Sequence, residues 1–144
     1  MHKYSNSIVL PFNARQLYEI VIDVESYPEF LPWCLSSRIV KKDDENNFDA
    51  ELTVGYKAID EKYISRIQAE YEKKIISKAI SGPFKSLDSS WYFQNIDKKQ
   101  CKVDFMIEYQ FKSFFLDKVM GSLFKKATIK MLDAFEQRAR SLHN

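Results

Sequence analysis

In the middle of this chain, apolar residues recur at every second position. From Leu35 onward, apolar and polar residues alternate for about 75 residues, which is the spacing of strands that bury one face and expose the other. The pattern is clearest in Phe48–Val54 and Val103–Phe111, where every second residue is apolar and Met106 is the one apolar residue on the outer face. Such half-buried strands pair into antiparallel sheets. The chain is therefore expected to fold around a sheet with one wet face.

Five further strands are predicted around these two. Four of them are weaker and lie near residues 35–42, 60–70, 73–81 and 89–96, separated by polar turns. The Ile- and Val-rich segment Lys3–Leu10 precedes them as a first strand. Together these segments predict a seven-stranded meandering antiparallel sheet.

Short helices are predicted directly after the first strand. Asn13 and Gln16 have the spacing of a capping box, and an apolar stripe with helical spacing runs from Leu17 until Pro28 ends it. Proline disfavours a helical conformation for the residue before it, so the helix cannot continue through this point.

The C-terminal segment Phe114–Leu142 carries an apolar stripe along one long predicted helix, with a kink expected at Gly121-Ser122. A helix of this length has to bury its stripe, and the concave face of the sheet is the only partner large enough. We therefore expect an α+β helix-grip fold, in which a curved antiparallel seven-stranded sheet wraps around the long C-terminal helix. A cavity between sheet and helix, walled by aromatic and branched side chains, would suit an apolar ligand.

Length and composition favour one domain. The chain has 144 residues, 45% of them hydrophobic, which is enough for one compact core and short for two. With three glycines and no low-complexity run there is no candidate linker, so residues 1–144 are predicted to form a single domain. No apolar run reaches the roughly 18 residues that span a bilayer, which predicts a cytoplasmic protein, at most peripheral to the inner membrane. Cys34 and Cys101 lack metal-binding or CxxC spacing and are expected to be buried, reduced thiols.

Residues suited to catalysis or metal binding are scarce. The only histidines, His2 and His143, lie at chain ends that are expected to fray, which argues against a catalytic triad or a histidine metal site. One predicted strand carries Glu61, Tyr63 and Arg66. Two interpretations stay open: Glu61 or Arg66 projects a polar group toward a ligand oxygen, or these residues form a cross-strand surface pair. The sequence predicts a binding protein with no catalytic residue, metal or cofactor, rather than an enzyme.

Charge is distributed unevenly along the chain. Residues 1–72 carry 8 Lys and Arg against 13 Asp and Glu, whereas residues 73–144 carry 14 against 7. This asymmetry predicts a basic surface patch, which would suit lipid head groups or RNA phosphates, or would be no more than a solvated surface. The most suggestive cluster on the C-terminal helix comprises Lys118, Lys125, Lys126 and Lys130.

Three spaced motifs resemble one protein family. The segments are Tyr18–Cys34 (YEIVIDVESYPEFLPWC), Gly82–Phe93 (GPFKSLDSSWYF) and Ala134–Ala139 (AFEQRA). They are similar to the signature of the coenzyme Q-binding START-domain family, whose bacterial members are often called ribosome-association toxins and which belongs to the polyketide cyclase-like SRPBCC superfamily. The resemblance covers nearly the whole chain.

This resemblance implies the helix-grip fold already expected from the strand and helix pattern. It also implies binding of ubiquinone or a related polyprenyl lipid, held as a ligand and not as a redox cofactor, in a carrier or chaperone that supports respiratory electron transport. A second implied function, usually in a toxin–antitoxin pair, is binding of the large ribosomal subunit and inhibition of translation initiation. A polyketide cyclase or dehydrase is the third alternative, by analogy of fold alone.

The segment Ser26–Cys34 (SYPEFLPWC) concentrates large apolar residues around two prolines. Pro28 and Pro32 stop the preceding helix and favour a short turn before the next strand. The segment is expected either to form a lid over the cavity mouth or to plug one end of the core, and its candidate lid residues are Tyr27, Pro28, Phe30, Leu31 and Pro32.

The candidate ligand-binding residues lie on the apolar faces of the strongest strands, on the lid and on the C-terminal helix. They are Trp33, Phe84, Trp91, Phe93, Phe105, Ile107, Met120, Leu123 and Phe124. Each of them is equally compatible with the plain core.

Overall fold

The computed structural model of the chain describes residues 1–56, 59–121 and 123–143, with Tyr56 and Ile59 described by their backbone only. Within these residues, seven strands, three α-helices and one 3₁₀ helix follow one another along the chain. They are β1 His2–Leu10, α1 Ala14–Ile22, the 3₁₀ helix Val24–Glu29, β2 Cys34–Asp44, β3 Asn47–Tyr56, β4 Ile59–Glu70, β5 Lys74–Ser81, β6 Phe84–Asp97, β7 Gln100–Phe111, α2 Phe114–Gly121 and α3 Phe124–His143.

The strands form one antiparallel sheet in the order β1-β7-β6-β5-β4-β3-β2, so the predicted seven-stranded sheet is confirmed. Consecutive strands from β2 to β7 are neighbours, and β1 forms one edge of the sheet by pairing with β7. Register shifts interrupt the pairing of β2 with β3 at three places, and bulges of this kind bend a strand and increase its twist. The predicted period of two is confirmed in two strands: Phe48, Ala50 and Leu52 of β3 are buried, and on β7 the exposed Met106 follows the buried Phe105.

The first helix begins as the sequence predicts. The Gln16 backbone N–H donates to Asn13 Oδ1 over 2.9 Å, and the Asn13 N–H donates to Gln16 Oε1 over 2.9 Å, which completes the capping box. The Ala14 N–H donates to Asn95 Oδ1 over 2.8 Å and so attaches the start of α1 to the far end of β6.

The prediction of one long C-terminal helix from Phe114 to Leu142 is wrong, because two helices occupy this segment. The first ends at Gly121, which lies close to β1: an added Cβ would lie 2.8 Å from His2 Cε1, so the His2 ring would have to shift. Ser122, the second residue of the predicted kink, lies outside the described residues. The expected bend is thus a break between α2 and α3, and α3 alone supplies the long helix of the grip.

The expectation that the N-terminal histidine frays is also wrong. His2 begins β1, its ring stacks on Tyr109 at a centroid distance of 4.7 Å, and its Nε2 lies 3.3 Å from Asp117 Oδ1. Both cysteines are buried and free, as predicted. None of the described helices is long and apolar enough to cross a bilayer.

Candidate hydrophobic-ligand site

A cavity of about 220 Å³ lies between the concave face of the sheet and the two C-terminal helices. Its wall is formed by aliphatic and aromatic side chains from β3 to β7, from α2 and α3, and from the segment around the 3₁₀ helix. Hydroxyl groups of Tyr27, Tyr63, Tyr109, three serines and Thr128, together with the Trp33 indole, are its polar components. Among the described residues, no carboxylate, imidazole, thiol or basic side chain lines this cavity.

Small side chains in the middle of the sheet account for the empty space. Ser65 on β4, Ser77 on β5 and Ser89 on β6 face the cavity, and Ser77 pairs directly with Ser89 across the two strands. The next inward pair along the same two strands is Ile75 and Trp91, whose larger side chains fill the space in front of the sheet. A run of small residues at inward positions therefore leaves room that the neighbouring positions do not.

These hydroxyl groups are available to a ligand. The side chains of Ser65, Ser77, Ser89 and Tyr63 form no hydrogen bond with any described residue. Burial raises the pKa of the Tyr63 hydroxyl, with a smaller contribution from Cys34, so this group stays protonated and able to donate. The Trp33 Nε1–H is likewise buried without a partner in the described part of the chain.

An aromatic wall closes one side of the cavity. Trp91 lies 4.6 Å from Phe105 and 5.1 Å from Phe135 between ring centroids, and Tyr27 lies 5.4 Å from Phe135. Beyond Trp91, Phe105 and Phe135, a second cavity of about 190 Å³ opens between β1, α1 and α3. The same three rings line both spaces and separate them.

The candidate lid residues divide into two groups. Tyr27 and Leu31 line the cavity, and the Tyr27 hydroxyl donates to the Val21 carbonyl, which fixes the ring in place. Phe30 packs on Phe135 at 5.2 Å between centroids and does not line the cavity, while Pro28 and Pro32 are exposed. Leu31 is 2% exposed, as in a core plug.

Seven of the nine candidate ligand-binding residues line the cavity, namely Trp33, Phe84, Trp91, Phe105, Ile107, Met120 and Phe124. The other two do not. Phe93 faces the second cavity, because it lies further along β6 than Trp91. Leu123 packs beside Tyr109 and Met120 in the loop between α2 and α3, outside the lining.

Ser65, Ser77 and Ser89 form the floor of the cavity, which we call the serine floor. Neither the serine floor nor Tyr63 was among the candidate ligand-binding residues. Their signal in the sequence is a small or hydroxyl-bearing residue at an inward position of a strand whose other inward residues are large, such as Ile67 on β4 or Ile75 on β5. Of the polar candidates on β4, Arg66 instead makes ion pairs on the outer face, with Asp43 and at 3.1 Å with Asp49, which is the cross-strand surface alternative.

The four candidate basic residues are all exposed, but they do not lie on one helix. Lys118 belongs to α2, while Lys125, Lys126 and Lys130 belong to α3. None of the four forms an ion pair with a described residue.

Burial raises the pKa of Cys34 to about 11, which keeps this thiol protonated and unreactive at neutral pH. Within the described ranges there is no cluster of three histidine, cysteine or carboxylate side chains that would hold a metal ion.

Two curated proteins are similar to this chain over most of its length. The ribosome association toxin RatA of Rickettsia prowazekii is 36% identical over 146 residues, which cover 99% of each chain. The mitochondrial coenzyme Q-binding protein COQ10 of Dictyostelium discoideum is 37% identical over 141 residues, covering 93% of this chain and 67% of that protein. Neither name is that of an enzyme.

Solved structures share the architecture. A START superfamily protein from Mycobacterium smegmatis superposes with a TM-score of 0.83 at 18% identity, over 99% of both chains. The ZhuI aromatase/cyclase from a Streptomyces species superposes with a TM-score of 0.84 at 12% identity, over 96% of this chain and 93% of the other. Both likenesses concern the fold.

A family model, described as polyketide cyclase/dehydrase and lipid transport, matches residues 10–136. This range contains the sheet from β2 to β7, both C-terminal helices up to the last turns of α3, and every residue that lines the main cavity. Taken with the full-length similarity to RatA and COQ10, the match establishes that this chain belongs to the polyketide cyclase/dehydrase and lipid transport family, with its START-like fold.

Proposed function

We propose that this protein binds a polyprenyl quinone of the ubiquinone type, with the ring in the main cavity, and carries it without chemical change. The observation that supports this proposal is an apolar cavity of about 220 Å³ whose floor carries unpaired hydroxyl groups. The name of the COQ10 relative points to the same class of ligand.

The size of the cavity favours a single ring. An apolar cavity of about 150 Å³ accommodates benzene, whereas pockets for drug-sized molecules measure about 300–1,000 Å³. A cavity of about 220 Å³ therefore suits one substituted ring and is too small to enclose a long isoprenoid chain as well. The tail would leave through the opening of the cavity.

The polar groups of the cavity complement a quinone. Carbonyl and ether oxygens only accept hydrogen bonds, and a ring that buries them without donors loses several kcal/mol of hydration, on the order of 1–3 per group. Tyr63, Ser77 and Ser89 offer hydroxyl donors in the middle of an otherwise apolar wall. A ring with oxygens on its rim and an apolar body fits such a lining.

The lining supports a carrier role. Turnover of a polyketide or a quinone requires a general acid or base; no carboxylate, imidazole, thiol or amine lines the cavity in the described part of the chain, and burial raises the pKa of the Tyr63 hydroxyl. A protein that shields a quinone without transforming it would support respiratory electron transport as a carrier or chaperone.

The test is organic extraction of protein purified from a quinone-producing host, followed by mass spectrometry. We expect a polyprenyl quinone near one per chain in the wild-type protein. Ser77→Leu fills the cavity and should reduce the bound quinone at least about tenfold. The matched control is Ser90→Leu, because Ser90 is the neighbour of Ser89 on the opposite face of β6, paired with Met106. An empty extract from folded wild-type protein, or equal quinone in the Ser77 variant, contradicts the proposal.

Ribosome binding is the second candidate function, supported by the unpaired lysines of α3 and by the name of the RatA relatives. Binding through RNA phosphates would weaken steeply with salt. We expect the Lys125→Gln, Lys126→Gln variant to sediment less with large ribosomal subunits than the control Lys98→Gln, Lys99→Gln, which changes two exposed lysines of the β6–β7 turn. Equal sedimentation of the two variants argues against this candidate.

A further inference from the structure

Two adjacent aromatic side chains are exposed to solvent in the first turn of α2, shortly after β7. Phe114 is 84% exposed and Phe115 is 72% exposed, which are the two highest values among the large hydrophobic residues of the described structure. Single exposed apolar residues are common on protein surfaces, but a neighbouring pair of nearly bare phenylalanines is not needed for packing.

Hydrogen bonds hold this pair in its exposed position. The Leu116 N–H donates to Ser113 Oγ over 3.2 Å, which caps α2, and the Phe111 N–H donates to Asp117 Oδ1 over 3.0 Å. The Lys112 N–H donates to the Pro83 carbonyl over 2.9 Å, attaching the turn to the start of β6. These bonds anchor the backbone of the turn, and with it the positions from which the two rings project.

Positive charge surrounds the pair. Lys112 and Lys118 flank it along the chain, with Lys118 one helical turn beyond Phe114, and neither forms an ion pair with a described residue. Asp117 is the only acidic residue between positions 112 and 126, and it is turned inward, bonded to the Phe111 N–H and 3.3 Å from His2 Nε2. The surface presents aromatic rings and cations without a competing exposed carboxylate of its own segment.

The pair also adjoins the main cavity. Phe111, three residues before Phe114, lines the cavity and pairs with Phe84, which lines it too. Met120 and Phe124, which follow within ten residues, belong to the same lining. Part of the cavity wall is thus built from Phe111, whose N–H helps to anchor the exposed pair, and from residues that follow the pair closely along the chain.

We propose that Phe114 and Phe115 insert into the interface of an anionic phospholipid bilayer while Lys112 and Lys118 contact the lipid head groups. Aromatic side chains favour the interfacial zone of a membrane, and lysines near an anionic surface add attraction that salt screens. This docking would set the adjoining end of the cavity against the bilayer, where a lipid ligand enters and leaves; that purpose rests on the proposed function, whereas the docking itself does not.

Vesicle co-sedimentation tests the docking. The full chain is mixed with vesicles of phosphatidylcholine containing about 30% phosphatidylglycerol, and with vesicles of phosphatidylcholine alone. We expect binding to the anionic vesicles that weakens as salt is raised, and at least about a tenfold loss of affinity in Phe114→Ser, Phe115→Ser. The matched control is Tyr92→Ser, Met106→Ser, which removes two exposed apolar side chains from the outer face of the sheet and should leave binding unchanged.

A gain-of-signal variant strengthens the test. Phe115→Trp adds an indole at the exposed position, while the natural Trp33 and Trp91 are partly or fully buried. Brominated lipids should quench the fluorescence of the new tryptophan on vesicle binding. Lack of quenching, lack of wild-type binding to anionic vesicles, or an equal loss in the control variant overturns the proposal. So does a Phe114, Phe115 variant that loses ribosome sedimentation while its vesicle binding is unchanged.

The two proposals fail separately. If the wild-type protein carries an extractable quinone but does not bind anionic vesicles, the docking proposal is wrong and the carrier function is still supported. Wild-type protein that binds anionic vesicles through Phe114 and Phe115 but yields an empty extract supports the docking and contradicts the carrier function.

Discussion

Ser77 on β5 and Ser89 on β6 lie directly opposite each other on the concave face of the sheet, where their small side chains leave the main cavity open. We expect the Ser77→Leu, Ser89→Leu variant to be as stable as the wild type or up to about 1 kcal/mol more stable, because the added atoms fill existing space. The measurement is urea unfolding followed by circular dichroism. The comparison variant is Ala50→Leu, a fully buried position on the same face that lines neither of the two described cavities, where overpacking should cost about 1–3 kcal/mol. Equal destabilisation of both variants would mean that the serine floor is tightly packed.

Gly82 is required by both its backbone and its surroundings. Its φ of +117° lies outside the range that L side chains adopt readily, and an added Cβ would lie 2.5 Å from Tyr63 Cβ. We expect Gly82→Ala to cost more than about 2 kcal/mol in unfolding free energy and to weaken ligand retention, since Tyr63 lines the cavity. Gly55→Ala is the control, because its added Cβ meets only the exposed Leu35 side chain at 3.1 Å and should change stability by less than about 1 kcal/mol. A small effect at Gly82 would show that the β5–β6 turn can relax.

The sheet was predictable because its signal is local and repeated. Every inward position of Phe48–Val54 and Val103–Phe111 is apolar, so the period of two identifies the buried face without knowledge of the partner strand. The sequence predicted a bend at Gly121 but not a complete break between α2 and α3, because the apolar stripe continues through this position. The close approach of His2 from β1 to Gly121 is visible only in the folded chain. Contacts between distant segments leave no periodic trace in the sequence.

The candidate site was predictable in its wall and not in its floor. Large apolar residues such as Trp33, Trp91 and Phe105 attract attention, and these do line the cavity. The floor is open because Ser77 and Ser89 have small side chains. A serine on a strand is equally compatible with an exposed position, so the sequence does not show that it faces the cavity until the register of the neighbouring strands is known. The same limit applies to Phe114 and Phe115, whose apolar character predicts burial.

Phe135 of α3 packs against the lid segment and against the sheet. Its ring lies 5.1 Å from that of Trp91 and 5.2 Å from that of Phe30, and it is 7% exposed. We expect Phe135→Ala to lower the free energy of unfolding by about 3–5 kcal/mol, because it removes a buried ring and merges the two cavities that the ring separates. Chemical denaturation measures this loss. Phe114→Ala removes the same ring from an exposed position and should change stability by less than about 0.5 kcal/mol; a similar cost at both positions contradicts the assignment of Phe135 to the core.

Asp117 links the start of α2 to β7 and to the N-terminal strand. The hydrogen bond from the Phe111 N–H, and then the nearby His2, lower the pKa of its carboxyl group below the ordinary value of 3.8, although partial burial opposes them. A carboxyl group with a depressed pKa in the folded state adds stability above its unfolded pKa, and this stability is lost as the pH falls through the folded value.

We therefore expect Asp117→Asn to be less stable than the wild type at pH 7, with a difference that shrinks as the pH falls below about 3.8. Thermal unfolding across this pH range measures the difference. Asp133→Asn, which alters an exposed aspartate with no ion pair to a described residue, is the control for net charge and should show no such convergence. A constant difference between Asp117→Asn and the wild type from pH 7 to pH 2 would mean that the carboxylate charge contributes nothing and that shape alone matters at this turn.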